Sequence, residues 1–138
     1  MRYQYFISSR WRNRDKVLEL TDKLRKKGKT VYCFLESPLV AARVGDEPEE
    51  DMAEFEKRDW KNDPYVRKVF EYDLAAEKES ENLIMLLPAG NSAHIEAGIA
   101  FGLGKKCILI GEVKEAESLY CIFSESHNSI DHFIESLS

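Results

Sequence analysis

The sequence predicts an α/β protein: a single domain over residues 1–138, built on a five-stranded, doubly wound parallel sheet. Short apolar runs alternate along the chain with longer segments whose apolar residues recur at helical spacing. The run Leu83–Leu87 is apolar throughout, which is typical of a parallel strand covered on both faces. A chain of 138 residues is also long enough to bury a core of its own.

The first half of the chain alternates strands with helices. The predicted elements are a strand over residues 3–8, a helix over 13–27, a second strand over 30–35, a long acidic loop over 36–50 and a further helix over 49–60. Gly28 marks the end of the first helix, because glycine is favoured just after a helix C-terminus. Pro38 and Pro48 interrupt any periodicity in the acidic segment, which therefore predicts a loop over the sheet edge.

The second half continues the alternation. Its predicted elements are a helix over residues 64–79, a strand over 82–87, a helix over 92–103, a strand over 106–111, a short acidic helical turn, a strand over 119–123 and a closing helix over 129–137. Asp63 is expected to cap the helix that begins at Pro64, and Ser92 to cap the next. Right-handed crossovers favour the strand order 2-1-3-4-5, a Rossmann- or flavodoxin-like three-layer sandwich with ligands at the carboxyl ends of the central strands.

Composition narrows the possible partners. The net charge is -5, and scattered basic residues argue against binding of duplex nucleic acid. Cys33, Cys107 and Cys121 lie in apolar runs without metal-site spacing, so we expect reduced core thiols in a cytoplasmic protein and no metal. The N-terminus opens directly into a strand, and no apolar run approaches the roughly 20 residues that span a membrane, so no membrane partner is expected.

Glu96 is the strongest candidate for a functional residue. It falls in the first turn of the helix predicted to begin at Ser92. An ordinary capping-box role for Glu96 would need a side-chain oxygen three residues earlier, where the sequence has Ala93. Gly98 and Gly102 each cost about 1 kcal/mol inside a helix, which implies close approach of a backbone or a ligand. A confined carboxylate is costly unless it is paired or used, so we predict a functional role; a solvated or dipole-pairing glutamate is the alternative.

Asp73 is the second candidate. It lies seven residues after Val66, at nearly the same azimuth of a helix whose apolar stripe faces the core. Two interpretations remain open. Asp73 is either a buried aspartate bonded to backbone N–H groups or an arginine, or a site carboxylate beside Glu96.

The turn after the first strand offers a binding site for an anion. Ser8, Ser9 and Arg10 supply hydroxyl groups and a guanidinium group at a strand-to-helix junction, where phosphate or a 5′-hydroxyl would suit. The turn lacks the glycines of a P-loop, and a solvated Ser/Arg turn remains an alternative.

Four further residues are candidate ligand contacts. Gly90 belongs to the tight turn before the helix that contains Glu96. Ser92 is either a cap alone or a cap that also contacts a ligand, and His94 lies one turn into the same helix. Tyr5 lies inside the first strand, where a core role is the alternative. For His94 the alternative is a surface or packing role.

In these residues the sequence resembles the nucleoside 2-deoxyribosyltransferase family and its relatives, the 2′-deoxynucleoside 5′-phosphate N-hydrolases. The string from Glu96 to Lys105 carries the similarity, preceded by a buried strand and by Asp73-Leu74, with Tyr5-Phe6 and Ser8-Ser9 near the N-terminus. The resemblance implies a small nucleoside or nucleotide substrate, no cofactor, and a homodimer or higher homo-oligomer. It implies that Glu96 attacks C1′ of the sugar and that Asp73 handles the proton at the base, with Tyr5, Ser9 and Ser92 around the sugar and its 5′ end.

The sequence also departs from that family. The first turn of that family usually contains glycine where Ser8 or Ser9 stands, and Arg10-Trp11-Arg12 comes next in this chain. Residues 87–94 replace an acidic segment, which favours a phosphate-bearing or otherwise different substrate. Two other functions remain open at this point. One is NAD glycohydrolysis of the type found in Toll/interleukin-1-receptor domains, and the other is a nucleotide-binding or sensing module without turnover.

Overall fold

A computed structural model describes residues 1–41 and 59–137. The strands are β1 Tyr3–Ser8, β2 Val31–Cys33, β3 Ser80–Leu86, β4 Lys106–Ile110 and β5 Phe123–His127. The helices are α1 Arg14–Lys26, α2 Pro38–Ala41, α3 Pro64–Lys78, α4 Asn91–Gly102 and α5 Ile130–Ser136. All paired strands run parallel in the order β2-β1-β3-β4-β5, which confirms the predicted fold class and strand order.

The sheet separates two apolar layers. Alternate residues of each strand point to opposite faces, so Ile7 and Ile84 pack under α1 and α5, whereas Phe6 and Leu83 pack under α3 and α4. Strand β3 is buried on both sides from Leu83 to Leu86, as its uniformly apolar sequence predicts. The described helices include none that combines the length and apolar character of a membrane-spanning segment.

Helix α4 begins one residue earlier than predicted. Gly90 occupies the N-cap position, so the prediction that Ser92 caps this helix is wrong, and Glu96 lies in the second turn rather than the first. The predicted close approach at Gly98 and Gly102 is also wrong, because both face open space. The small residues that let α4 lie against the sheet are instead the buried alanines, which recur at helical spacing: Ala93, Ala97 and Ala100.

The prediction for the last strand is wrong by several residues. Residues Ser118–Ile122 form a 3-10 helix, and β5 follows at Phe123–His127. The apolar run was misleading because β5 is an edge strand of mostly polar residues, in which only the burial alternates from one position to the next. The acidic segment before it contains bends instead of the predicted helical turn, and Cys121 is exposed rather than part of the core.

The connection after β2 starts with regular structure. Strand β2 ends at Cys33, two residues before the predicted end, and a 3-10 helix follows at Phe34–Glu36; α2 then lies in the segment for which a loop was predicted. Residues 42–58, with most of the predicted loop and of the helix over 49–60, lie outside the described residues. The predicted cap of α3 is confirmed, because a side-chain oxygen of Asp63 accepts hydrogen bonds from the backbone N–H groups of Tyr65 and Val66.

Candidate active site

A cleft of about 270 Å³ lies between α3 and α4 on one face of the sheet. Most of its wall is apolar and comes from the facing sides of the two helices. Its polar side chains are Asp73 and Glu77 from α3, and Ser92 and Glu96 from α4. The structure therefore brings the two predicted catalytic residues into one cavity. The spacing of Asp73 and Glu77 by four residues puts both carboxyl groups on the same side of α3.

Glu96 is held in place by the end of β1. The hydroxyl group of Ser8 donates a hydrogen bond to Glu96 Oε1 over 2.6 Å, and Ser8 itself is fully buried. Burial of the carboxyl group raises the pKa of Glu96 to about 8; the Ser8 hydrogen bond opposes this shift, whereas Asp73 and Glu77 add to it. A carboxyl group that exchanges its proton near neutral pH is suited to covalent or acid–base chemistry.

Asp73 faces the same cleft and is paired with a tyrosine. The hydroxyl group of Tyr32 donates a hydrogen bond to Asp73 Oδ1 over 2.7 Å, and the Tyr32 ring stacks on Phe6 with centroids 5.0 Å apart. Burial raises the pKa of Asp73, and the Tyr32 hydrogen bond partly offsets this. Asp73 thus lines the same cleft as Glu96, and its hydrogen-bond donor is a tyrosine hydroxyl group.

Glu77 is a residue that the sequence interpretation missed. Its side chain is 1 % exposed, and burial raises its pKa to about 7, with Lys105 acting against this shift and Asp73 adding to it. The available signal was the helical stripe, because Glu77 follows Asp73 by four residues just as Phe70 follows Val66. Among the described residues, no group of three His, Cys, Asp or Glu side chains is arranged to hold a metal ion.

The turn after β1 packs against the turn before α4. The hydroxyl group of Ser9 donates to the carbonyl oxygens of Leu86 and Pro88, and it accepts a hydrogen bond from Asn13. Ser9 is thus committed to joining the two turns. Arg10 is exposed, and its Cβ lies 3.7 Å from the position that a Cβ at Gly90 would occupy. The structure therefore brings Arg10 beside the N-terminus of α4, where the helix dipole favours an anion.

Two predicted contact residues lie away from the carboxyl groups. Tyr5 points to the opposite face of the sheet and packs edge-on against Phe133, with ring centroids 5.9 Å apart. His94 lines a different cavity, and its ring nitrogens contact the Gly90 carbonyl and the Tyr120 hydroxyl, each at 2.8 Å. Because a carbonyl only accepts, Nδ1 of His94 donates to Gly90 and a neutral ring accepts from Tyr120.

Solved structures share this architecture over nearly the whole chain. A 2-deoxyribosyltransferase from the psychrotolerant bacterium Bacillus psychrosaccharolyticus is 15% identical, with a TM-score of 0.67, over 97% of this chain and 91% of that one. The CMP N-glycosidase of Clostridium botulinum is 18% identical, with a TM-score of 0.56, over 96% of both chains. The chain has the 2-deoxyribosyltransferase fold.

The sequence similarity is too low for the comparison to carry more than the fold. No protein-family model matches the sequence, and neither does any curated protein. The 2-deoxyribosyltransferase fold confirms the architecture that the resemblance implied, in a chain that is only 15% and 18% identical to these two enzymes. Function must therefore be argued from the site itself.

Proposed function

We propose that this protein cleaves or transfers the N-glycosidic bond of a 2′-deoxynucleoside or its 5′-monophosphate, through a covalent glycosyl ester on Glu96. The observation that carries the proposal is the pairing of Glu96 with Ser8 in a cleft that Asp73 also lines. A buried hydroxyl donor fixes one oxygen of the Glu96 carboxyl group and leaves the other for reaction with a sugar carbon. Two carboxyl groups facing one cleft are the usual requirement of glycosidic chemistry.

The first step forms one bond and breaks one. An oxygen of ionised Glu96 attacks C1′, and the bond from C1′ to the base nitrogen breaks with its electron pair on the base. The base takes up a proton, and Asp73 is the group proposed to manage it. The product of this step is a free base and a sugar ester of Glu96.

The second step decides between transferase and hydrolase. Attack of water on C1′ releases the sugar and restores the Glu96 carboxylate, whereas attack by a second base makes a new nucleoside. The similar structures are of one enzyme named as a transferase and one named as an N-glycosidase, and both outcomes are compatible with the proposal.

Arg10 and the N-terminus of α4 support a substrate that carries a 5′-phosphate. Arg10 is exposed and its Cβ lies beside Gly90, where no side chain caps the first backbone N–H groups of α4. Ser92 lines the cleft close to this end of the helix. A phosphate at this position would orient the sugar with C1′ toward Glu96.

We propose that the functional protein is a homodimer or higher homo-oligomer. The apolar side of the cleft is open, with one lining side chain of each helix exposed: Phe70 by 46% and Ile95 by 64%. An exposed apolar patch of this kind favours coverage by protein. A second copy of the chain would close the cleft around the substrate. Sedimentation velocity would test this, because a monomer at working concentration contradicts it.

The decisive experiment is chromatography of released bases. Purified protein is incubated with a mixture of nucleoside 5′-monophosphates, nucleosides and NAD, with Glu96→Gln in parallel. We expect a free base from a deoxynucleotide or deoxynucleoside with the wild type alone. Release of nicotinamide would favour an NAD glycohydrolase. Thermal stabilisation by a nucleotide without any product would contradict turnover and favour a binding module.

A further inference from the structure

Glu77 is a buried carboxyl group without a full set of hydrogen bonds. Its Oε2 atom has no hydrogen-bond partner among the residues that the structure describes, although the side chain is only 1 % exposed. Leaving a buried polar atom unpaired costs about 1–3 kcal/mol, and more for a charged group. Glu77 also lines the cleft that contains Asp73 and Glu96. Its carboxyl group is therefore retained at a cost, next to the proposed chemistry.

The groups around Glu77 influence one another through charge. Asp73 lies one helical turn earlier, Glu96 faces the same cleft from α4, and Cys107 lies in β4 below. Lys105 is the nearby cation, but its ammonium group donates hydrogen bonds to the backbone carbonyls of Lys78 and Ser80. Lys105 thus moderates the charge of Glu77 without forming a close ion pair with it.

The three carboxyl groups differ in their hydrogen-bond donors. Tyr32 donates to Asp73 and Ser8 donates to Glu96, so each of these carboxylates receives a hydroxyl hydrogen bond. No hydroxyl donor faces Oε2 of Glu77 within the described part of the chain. A negative charge on Glu77 is therefore poorly compensated locally, and the neighbouring Glu96 experiences it.

We propose that Glu77 is a positioning residue whose charge controls the pH at which Glu96 ionises. This inference rests on the proposed role of Glu96 as the nucleophile. Glu77 then sets the acid limit of the reaction without touching the substrate. The ionised Glu77 makes a second charge in the cleft unfavourable, so that Glu96 loses its proton at higher pH than it would alone.

Repulsion between like charges fixes the sign of the effect. Burial raises the pKa of Glu77 to about 7 and the pKa of Glu96 to about 8, so both carboxyl groups exchange protons near neutral pH and each affects the titration of the other. Replacing Glu77 by glutamine removes the charge of Glu77 and keeps the shape of the side chain. Glu96 in the variant should therefore ionise at lower pH.

The first test is the pH dependence of kcat/KM for base release by the wild type and Glu77→Gln. The acid limb should move to lower pH, so that the variant is up to about twofold faster than the wild type between about pH 7 and pH 8.5, where Glu77 of the wild type is charged and Glu96 is only partly ionised; the two should be equal well below pH 7, where Glu77 is protonated, and at about pH 9. The matched control is Glu71→Gln, because Glu71 lies on the same helix but is exposed and paired with Arg67. An unmoved acid limb in Glu77→Gln would overturn the proposal.

The second test needs no activity. Carboxyl NMR of protein labelled with 13C-glutamate follows the titration of Glu96, whose signal is assigned by its absence from Glu96→Gln. We expect the Glu96 signal of the wild type to titrate in two steps and that of Glu77→Gln in one step with a lower midpoint. A single step in the wild type would overturn the proposal even if Glu77→Gln does not fold. Coupled titration without base release would contradict the proposed function and leave the role of Glu77 standing.

Discussion

Two cavities border α4, and they differ in size and in chemistry. The larger one measures about 710 Å³ and lies at the carboxyl ends of β3 and β4, lined by Lys16, His94 and Lys114 among others. The smaller one measures about 270 Å³ and contains Asp73, Glu77 and Glu96. Volume alone would select the larger cavity.

The chemistry selects the smaller one. In the larger cavity Lys16 and Lys114 are exposed to solvent, and both ring nitrogens of His94 have hydrogen-bond partners. In the smaller cavity, burial raises the pKa of every carboxyl group that lines it. Buried titratable groups are a better indicator of a reaction site than the volume of a cavity, because the fold retains such groups at a cost in stability.

The largest expected effect is that of Glu96→Gln. Glutamine is nearly isosteric with glutamate but is a poor nucleophile, so kcat for base release should fall about a thousandfold or more while substrate binding is largely kept. His94→Ala, in the larger cavity, is the matched control and should stay within about threefold of the wild type. If His94→Ala lost its activity and Glu96→Gln kept it, the smaller cavity would not be the reaction site.

Asp73→Asn should show the next largest effect. Loss of the group proposed to manage the proton at the base should lower kcat about 100-fold, most steeply for poor leaving groups. Tyr32→Phe keeps the Asp73 carboxyl group but removes the hydrogen bond that stabilises its charge, so we expect a smaller loss in the same direction. A lowered melting temperature with unchanged kinetics in Asp73→Asn would assign Asp73 a structural role.

Ser8→Ala should alter the pH profile more than the maximal rate. The Ser8 hydrogen bond lowers the pKa of Glu96, so its removal moves the acid limb of kcat/KM to higher pH. We expect a loss of about fivefold at neutral pH that is recovered in alkaline buffer. Ser9→Ala is the control, because the Ser9 hydroxyl bonds to Leu86 and Pro88 and should affect stability without moving the limb.

The smallest expected effect is on stability. The pKa of Glu96 is raised in the folded protein, so the folded state binds more protons than the unfolded state between about pH 4.5 and pH 8, and stability falls as the pH rises through this window. Glu96→Gln should therefore melt a few degrees above the wild type at about pH 8 and together with it at about pH 4. If the wild type and Glu96→Gln had equal melting temperatures at both pH values, burial would not raise the pKa of Glu96 in the folded protein.

The candidate site was predictable only in part. Asp73 was singled out because it is a charge on the apolar stripe of its helix, and Glu96 because Ala93 offers no side-chain oxygen for a capping box and small residues surround it. Glu77 obeys the same periodicity but lies near the end of α3, where a glutamate is ordinarily solvated, and only the packing of α4 shows that it is buried. For Tyr5 the sequence itself argued against a place in the site. Side chains alternate along a strand, and Tyr5 lies three residues before Ser8, so the two side chains face opposite sides of the sheet.

The sequence by itself determined the fold class, the strand order and the presence of an unusual carboxylate in the helix after β3. Those properties follow from local periodicity and from the handedness of crossover connections, which act over short stretches of chain. Only the tertiary structure decided that Ser8 and Tyr32 donate to Glu96 and Asp73, that Glu77 joins them, and that His94 does not. These contacts join residues far apart in sequence, and burial and pKa depend on distances that no local pattern encodes.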